Sequence, residues 1–224
     1  YRVGVDKYIN DDRMVYASLS TGYRAGGFNF GVSSAESYDP EELTAFEVGS
    51  KNRFNDGRMQ LNATVFYYDY TDLQVFQVVD QTIVIRNASE ADISGAELEF
   101  VAALSDRLRV DASLGILEAE YKKFILPSNL FLDASGEPTD IDVSGNSLIN
   151  APKWSGHVGV EYEFAASRHG TFTVRAQTYI TDDIYLRALN LEPFDLQEGY
   201  ATWDAKLMWE SADNRWFGEA FINN

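Results

Sequence analysis

Apolar and polar residues alternate with a period of two along most of this 224-residue chain. Between Arg58 and Tyr70 the apolar positions are Met59, Leu61, Ala63, Val65 and Tyr67, and the positions between them hold Gln60, Asn62, Thr64, Phe66 and Tyr68. The same pattern returns in 153–164, 172–180 and 201–210. Successive side chains of a β-strand point to opposite faces, whereas a helix would mix the two sets. The period therefore predicts an all-β fold built from two-faced strands.

Turn residues divide this pattern into ten predicted strands. They cover residues 1–8, 13–24, 43–54, 58–75, 82–103, 108–121, 148–164, 171–181, 198–210 and 214–222. Five connections are short and rich in residues that favour tight turns: 10–12, 55–57, 105–106, 167–170 and 212–214. Three alternate connections are long (25–42, 122–147 and 182–197), and the remaining one, near 76–81, is short. Neighbouring strands should pair antiparallel, with tight turns at one rim and mostly large loops at the other.

The segment Asp39–Glu42 also has features of a helix start. An Asp cap, a Pro at the first helical position and acids in the first turn all favour a helix. Alternation nevertheless continues after it, with Phe46, Val48 and Phe54 on one parity and Glu47, Lys51 and Arg53 on the other. The sequence predicts a strand over 43–54, with a single helical turn before it left open.

Composition excludes several kinds of protein. The chain has 18 Lys and Arg against 35 Asp and Glu, a formal net charge of −17. Since phosphate contacts need clustered bases, no nucleic-acid partner is expected. The absence of cysteine excludes disulfides and a cysteine nucleophile, and two histidines leave little room for a histidine-rich metal centre. The longest apolar run, 100–104, is far shorter than the about 20 residues that a membrane helix needs.

Two architectures accommodate ten amphipathic antiparallel strands. In a soluble sandwich the apolar face is a core, whereas in an outer-membrane barrel it meets lipid and the strands cross a tilted band of about 25 Å. Several predicted strands exceed the about five or six residues usual in soluble sheets. Aromatic residues lie near strand ends, where an interfacial girdle belongs: Tyr16, Tyr23, Phe54, Tyr67, Tyr70, Tyr121, Trp154, Phe164, Trp209 and Trp216. Strand length and loop asymmetry favour an antiparallel transmembrane β-barrel.

Several segments resemble TonB-dependent outer-membrane receptors, in the order in which that family has them. The longest matches are a strand-to-loop segment, 15–29 (VYASLSTGYRAGGFN), and the strand that returns from the loop, 38–51 (YDPEELTAFEVGSK). Shorter ones are 66–75 (FYYDYTDLQV), 95–99 (GAELE) and 145–154 (GNSLINAPKW), and 216–224 looks like the penultimate strand of the family. Together these segments cover nearly the whole chain.

The resemblance implies a barrel of about 22 strands, an N-terminal plug that fills it and a TonB box before the plug. Residues 1–224 are then expected to form a single partial barrel domain, a fragment without plug or closing strand. Its ten strands look like the twelfth to the twenty-first. The two outermost strands would be open edges, which lipid does not tolerate.

The implied function is transport. A receptor in the cell outer membrane of a Gram-negative bacterium would take up a scarce solute, a ferric siderophore first, with energy relayed by TonB. The implied partners are the TonB complex, reached through the plug, outer-membrane lipid and lipopolysaccharide, and a small-molecule iron chelate; no cofactor is implied. Two alternatives stay open: a TonB-dependent receptor for glycans, and a soluble extracellular β-protein that binds or cleaves carbohydrate.

Strand parity predicts which side chains face the lumen. Val65 and Val158 should face lipid, whereas Thr64 and His157 should face the interior. Five charged residues share the inner parity and are expected either to dock the plug or to line a wet passage: Glu47, Lys51, Arg53, Glu97 and Glu99. A polar lumen is also what any large barrel has without such a role.

The long connections hold the candidate ligand contacts. These are Arg24, Asn29, Phe124, Phe131, Tyr185, Arg187 and Phe194. The four connections opposite the tight turns carry thirteen acidic and three basic side chains. Such a field repels polyanions, an effect that salt screens. We therefore expect a ligand of low negative charge, either an iron chelate or an uncharged glycan stacked on aromatic rings.

No arrangement of residues predicts catalysis or a resident metal. Asp140–Gly145 matches the first half of a calcium loop, but the twelfth position is Ala151 instead of a glutamate. An alternative is a divalent ion that bridges lipopolysaccharide to Asp133, Glu137, Asp140 and Asp142. Paired acids such as Glu118 with Glu120 arise by chance among so many carboxylates, and His157 has no recognisable triad partners. The sequence predicts a protein that is not an enzyme.

Overall fold

The computed structural model describes residues 1–30, 37–79, 82–126, 134–137 and 139–224. Its strands are β1 (Arg2–Asn10), β2 (Arg13–Arg24), β3 (Gly27–Phe28), β4 (Ser37–Tyr38), β5 (Glu41–Phe54), β6 (Met59–Val79), β7 (Thr82–Ala103), β8 (Leu108–Lys123), β9 (Ile125–Leu126), β10 (Ile141–Asp142), β11 (Trp154–Ser167), β12 (Gly170–Thr181), β13 (Ile184–Tyr185), β14 (Leu196–Gln197), β15 (Tyr200–Glu210) and β16 (Phe217–Asn223). Within the described ranges, no helix is both long and apolar enough to cross a bilayer.

The ten long strands form one antiparallel sheet, ordered β1-β2-β5-β6-β7-β8-β11-β12-β15-β16. Each strand pairs with the next long strand along the chain, which confirms the predicted ten-stranded antiparallel topology. The short strands pair only with each other, as β3 with β4, β9 with β10 and β13 with β14. All three short pairs lie in the long connections, which share one rim of the sheet with the short β6–β7 connection, and the other tight turns occupy the opposite rim.

Three boundaries differ from the sequence prediction. β5 begins directly at Glu41, so no helical turn precedes it. The seventh long strand begins at Trp154 and not near 148, because Asn150 has a positive φ of 56° and Pro152 lacks an N–H for the ladder. β6 continues to Val79 instead of ending at 75, while β7 begins at Thr82 as predicted, so only residues 80–81, outside the described part of the chain, lie between them.

Register divides the sheet into two faces of opposite character. One line of paired residues crosses five strands and is apolar: Val48, Val65, Ala96, Ile116 and Trp154. Another is polar throughout: Lys51, Asn62, Glu99, Ser113, His157 and Tyr179. We call the sides that carry these lines the apolar face and the polar face. Thr64, next to Val65, lies on the polar face.

The apolar face has no second layer over it among the described residues. Val65 is 55% exposed and Trp203 59% exposed, although both belong to the middle of long strands. A soluble sandwich would bury this face under another sheet, whereas a membrane barrel presents it to lipid. The strands of 21 and 22 residues in β6 and β7 also exceed what a soluble sheet uses. This architecture is that of a transmembrane barrel segment.

The hydrophobic core lies at the long-loop rim. Its buried members are Val75, Ala88, Ala91, Ala119, Tyr121, Phe124, Leu126, Val143 and Leu148. They come from the upper ends of β6, β7 and β8 and from the connection that follows β8. This connection therefore folds back onto the sheet, and the loop rim is a packed structure.

Candidate functional site: the loop rim and the polar face

The upper part of the β6–β7 hairpin lies between two loops. Asp72 has a positive φ of 54°, and the pairing with β7 keeps the same register on both sides of it. Leu73 and Val75 pack in the same core as Tyr70, so the side chains beyond Asp72 change face. On one face Gln74 donates to the carbonyl oxygens of Ala25 and Asp39, each at 3.1 Å. On the other face Val75 packs in the core that includes the connection after β8. The hairpin is thus the central layer of the rim.

Three asparagines join neighbouring elements of the rim by the same two-point bond. Each side-chain amide accepts from the N–H and donates to the C=O of one residue, as a paired strand would. Asn29 bonds Ile85 at 2.7 and 2.8 Å. Asn87 bonds Asp39 at 2.8 and 3.0 Å, and Asn190 bonds Ser147 at 2.8 and 3.2 Å. We call these contacts the asparagine clamps.

Two of the predicted ligand contacts have structural roles in this arrangement. Asn29 is 7% exposed, and its amide is engaged in a clamp. Phe124 is 2% exposed, with its ring 5.1 Å from that of Tyr121. Neither side chain presents a free polar or aromatic surface to a ligand. An amide and an aromatic ring are suited to ligand binding, but here both side chains contact other residues of the protein.

The loop between β12 and β15 is held by internal charge pairs. The Arg187 guanidinium forms an ion pair with Asp195, which is fully buried and also accepts from the N–H of Leu191 at 3.0 Å. Tyr185 donates its hydroxyl to Glu192 at 2.9 Å, and this hydrogen bond raises the pKa of Tyr185. Arg187 and Tyr185 thus shape the loop.

Arg24 and Phe194 are exposed at the rim, whereas Phe131 lies outside the described residues. Arg24 ends β2, and its guanidinium carbon is 5.9 Å from the centre of the Phe76 ring. Phe194 is 80% exposed on the loop after β12. Together with Arg187, whose side chain is 60% exposed, these two offer surface that a solute can reach.

The five charged residues predicted for the lumen all lie on the polar face. Most are engaged there by neighbours. Glu47 accepts from the Tyr68 hydroxyl at 2.9 Å, and Glu99 accepts from Asn62 at 3.1 Å. The other three are Lys51, 6.0 Å from the Tyr16 ring, Arg53, which pairs with Asp12 at 3.5 Å, and Glu97, opposite Thr64 in the register. The arrangement is a hydrogen-bonded polar wall.

A second polar group on this face was missed by sequence reasoning. Arg175 on β12 reaches across β11 and donates to both carboxylate oxygens of Asp111 on β8, at 2.9 and 3.1 Å. His157 Nδ1 lies 3.5 Å from the same carboxylate. Gly159 makes this possible, because a Cβ there would come within 2.6 Å of both partners. Parity placed His157 on this face, but no local signal pairs residues 64 positions apart.

The acidic loop after β10 closes on itself. Asp142 accepts from the N–H of Ser144 at 2.9 Å, and hydrogen bonds from Ser144 hold the pKa of Asp142 below its usual value. Within the described ranges, no group of three or more His, Asp or Glu side chains is placed to hold a metal ion. Asp133 lies outside those ranges.

Comparisons with known proteins agree with this geometry. The family described as TonB dependent receptor-like, beta-barrel, matches residues 1–223. The probable TonB-dependent siderophore receptor PiuA of Acinetobacter baumannii is 26% identical over 194 residues, 83% of this chain and 24% of the relative. The pesticin receptor of Yersinia pestis is 23% identical over 209 residues, 92% of this chain and 28% of the relative.

A solved structure has the same fold. The ferric yersiniabactin uptake receptor FyuA from Yersinia pestis superposes with a TM-score of 0.78 at 21% identity, over 100% of this chain and 31% of that one. The chain spans about a quarter of the length of the curated relatives it matches.

Proposed function

We propose, because the chain belongs to the TonB-dependent receptor family and forms part of its β-barrel, that the whole protein imports a scarce solute with energy relayed by TonB. Its location is the outer membrane of a Gram-negative bacterium, as for the family. One observation carries the proposal: a single sheet has a lipid-suited apolar face, a hydrogen-bonded polar face and a packed loop rim. This combination suits a large barrel with a wet interior and an outer ligand entrance.

The polar face is, in this proposal, the lumen of the barrel. Glu47, Lys51, Arg53, Glu97 and Glu99 then line the interior, where they meet the plug or a wet passage. Bases on β5 and carboxylates on β5 and β7 share this wall, so it suits a partner with a mixed polar surface. Residues 1–224 form one partial barrel domain, with the TonB contact made elsewhere in the protein.

The proposed ligand is an iron chelate of low negative charge. The relatives named above include a siderophore receptor and a ferric yersiniabactin receptor, which favours chelates as a class. The four connections at the rim carry thirteen acidic side chains against three basic ones, and Asp183, for example, accepts from the Gly199 N–H at 2.6 Å. The rim field is therefore negative and slows the capture of polyanions.

Transport by the full-length receptor in iron-starved cells tests the function. Cells that carry the receptor should accumulate iron from a neutral ferric trihydroxamate, and a matched strain without TonB should not. A trianionic ferric tricatecholate should bind more weakly, with the difference reduced as salt is raised. Uptake of neither chelate, together with TonB-dependent uptake of oligosaccharides, would assign the protein to glycan import instead. Tightest binding of the trianionic chelate at low salt would contradict the charge argument.

A further inference from the structure

We propose that Arg13, together with Ser50 and Phe54, binds the phosphate of an anionic phospholipid in the periplasmic leaflet of the outer membrane. The three residues lie on the apolar face near the tight turns, and short turns are on the periplasmic side of bacterial outer-membrane barrels. Such a site holds the barrel at a fixed depth in its membrane, whichever solute the receptor imports.

Register places Arg13 on the apolar face. Arg13 begins β2 and pairs with Asn52 of β5, two residues along from the pair of Val15 with Ser50. Val48, two residues before Ser50 on β5, belongs to the apolar line described above. Val15 is 41% exposed, as expected for a side chain that meets lipid. An arginine therefore stands at the end of a lipid-facing row of side chains.

The charge of Arg13 is not balanced by a carboxylate. Within the described ranges, no Asp or Glu side chain lies within ion-pair distance of its guanidinium. Other bases of the turn rim are paired: Arg53 lies 3.5 Å from Asp12, and Arg58 lies 3.1 Å from Asp106. A charged side chain at the edge of the hydrocarbon layer is costly unless it finds a counter-ion. The phosphates of the adjacent lipid headgroups are anions within its reach.

Phe54 orients the guanidinium for such a contact. The guanidinium carbon of Arg13 lies 5.2 Å from the centre of the Phe54 ring. Phe54 ends β5 and has the parity of Val48, so the ring is on the apolar face as well. A guanidinium that stacks on a ring keeps its in-plane N–H donors free, and their planar fork matches the oxygens of a phosphate.

Two short polar side chains on the same face add hydrogen-bonding groups. The Asn52 amide donates to Ser50 Oγ and to the carbonyl oxygen of Leu61, each at 3.1 Å. Ser50 Oγ accepts this bond and keeps its own proton for another acceptor. Ser50 is the diagonal neighbour of Arg13 across the two strands, at a typical separation of roughly 7–8 Å. One phosphate group can therefore accept from both side chains.

The opposite end of the apolar face carries negative charge. Asp69 of β6, Asp92 of β7 and Glu120 of β8 lie in one register line on the parity of Val65, toward the long loops. Lys122 pairs with Asp92 and neutralises only one of the three carboxylates. Phosphates are repelled at that end and attracted at Arg13. The charges thus favour a lipid phosphate in the leaflet next to the tight turns.

Binding of lipid to the purified full-length receptor in detergent tests the proposal. The probes are phosphatidylglycerol, which carries a net negative charge, and phosphatidylcholine, which carries none, and native mass spectrometry counts the bound molecules during each titration. The wild type should bind its first phosphatidylglycerol about tenfold more tightly than phosphatidylcholine, because the phosphate gains charge-assisted hydrogen bonds. Arg13→Gln should remove most of this preference, and Arg13→Lys should retain part of it because the charge remains.

Arg58→Gln is the matched control. It removes the same charge from the same rim, but Arg58 lies in the turn after β5 and is already paired with Asp106. The lipid preference should stay within about twofold of the wild-type value. Phe54→Leu should weaken phosphatidylglycerol binding by a smaller factor than Arg13→Gln, since it removes only the ring that orients the charge.

Three results would overturn the site. One is a wild-type receptor that does not prefer phosphatidylglycerol, and another is an equal loss in the Arg13 and Arg58 variants, which would mean that only the summed charge of the rim matters. The third is displacement of the bound lipid by millimolar inorganic phosphate, which would assign Arg13 to a soluble anion. If Arg13→Gln does not fold, comparison of Phe54→Leu with Arg58→Gln decides between the same outcomes.

Discussion

Single residues determine how side chains cross the polar face. Gly49 lies beneath the Tyr16 ring, where a Cβ would come within 2.6 Å of ring atoms, and the Tyr16 hydroxyl reaches Thr64 at 3.0 Å. Gly159 leaves the same kind of space beneath the Arg175 contact with Asp111. In both places a glycine on the middle strand lets two outer strands touch. Because glycine has no side chain, the side chains of the two flanking strands have room to meet above it.

Replacing Gly159 by Ala should therefore destabilise the barrel. The added Cβ would lie 2.6 Å from both Arg175 Nη2 and Asp111 Oδ2, which forces the bidentate pair apart. We expect a loss of roughly 1–3 kcal/mol in the free energy of unfolding, because a part-buried charge pair loses its geometry. Urea titration of the full-length receptor in liposomes measures this loss.

Gly115→Ala is the matched control for this variant. Gly115 is also on the polar face, but the nearest atom to an added Cβ is Ser155 Oγ at 3.6 Å, an ordinary contact. Gly115→Ala should lower the free energy of unfolding by much less than Gly159→Ala does. Equal stability of the two variants would mean that the Arg175 contact does not contribute to folding.

At the scale of the element, each strand places its apolar side chains on one face and its polar side chains on the other, as a strand between lipid and a wet interior requires. Val65 and Val158 lie on the apolar face and Thr64 and His157 on the polar one, as their parity predicts. An Arg at Val65 or Val158 should destabilise by roughly 2–4 kcal/mol if it stands near the bilayer midplane. An Arg at Thr64 should cost much less, since it meets polar neighbours.

Unfolding of the three arginine variants in liposomes checks this assignment. Their order of stability is the informative quantity, because all three add the same side chain to the same sheet. Similar losses on both faces would contradict the register. A greater loss at Thr64 than at Val65 would reverse the two faces.

The asparagine clamps bind the rim loops to neighbouring elements, so these loops should resist protease. Asn29→Asp keeps the acceptor for the Ile85 N–H but removes the donor and sets a carboxylate against the Ile85 carbonyl. Limited proteolysis should then cut the 25–40 connection several times faster than in the wild type. Asn214→Asp, in an exposed turn of the opposite rim, serves as the control and should leave the rate unchanged. Cleavage that is rapid already in the wild type would show that the clamps do not order the rim.

The whole molecule requires a membrane and further strands. The exposed apolar face and the free edges of β1 and β16 leave residues 1–224 with little to stabilise them in water. Expressed alone, this segment should aggregate or need detergent. Size-exclusion chromatography with a thermal melt decides the matter. A monodisperse 25.2 kDa species that melts cooperatively without detergent would contradict a barrel segment.

Strand number, pairing order and the two faces follow from the sequence by itself. They depend on local physics: a period of two sets the face of Val65 or Thr64, and tight-turn residues such as Asn55 and Gly57, both with positive φ, join one strand to the next. The order of the motifs also pointed to the receptor family. None of these predictions requires knowledge of contacts between residues that are distant in the sequence.

The roles of the rim residues were decided only by the tertiary structure. Asn29 and Phe124 have side chains that suit ligand binding, yet Ile85 occupies the amide of the first and the core surrounds the second. The hairpin continued past its predicted end because loops cover both of its sides, which no short window of sequence reveals. Residue type sets what a side chain is able to bind. Its partner depends on which distant segments the fold brings beside it.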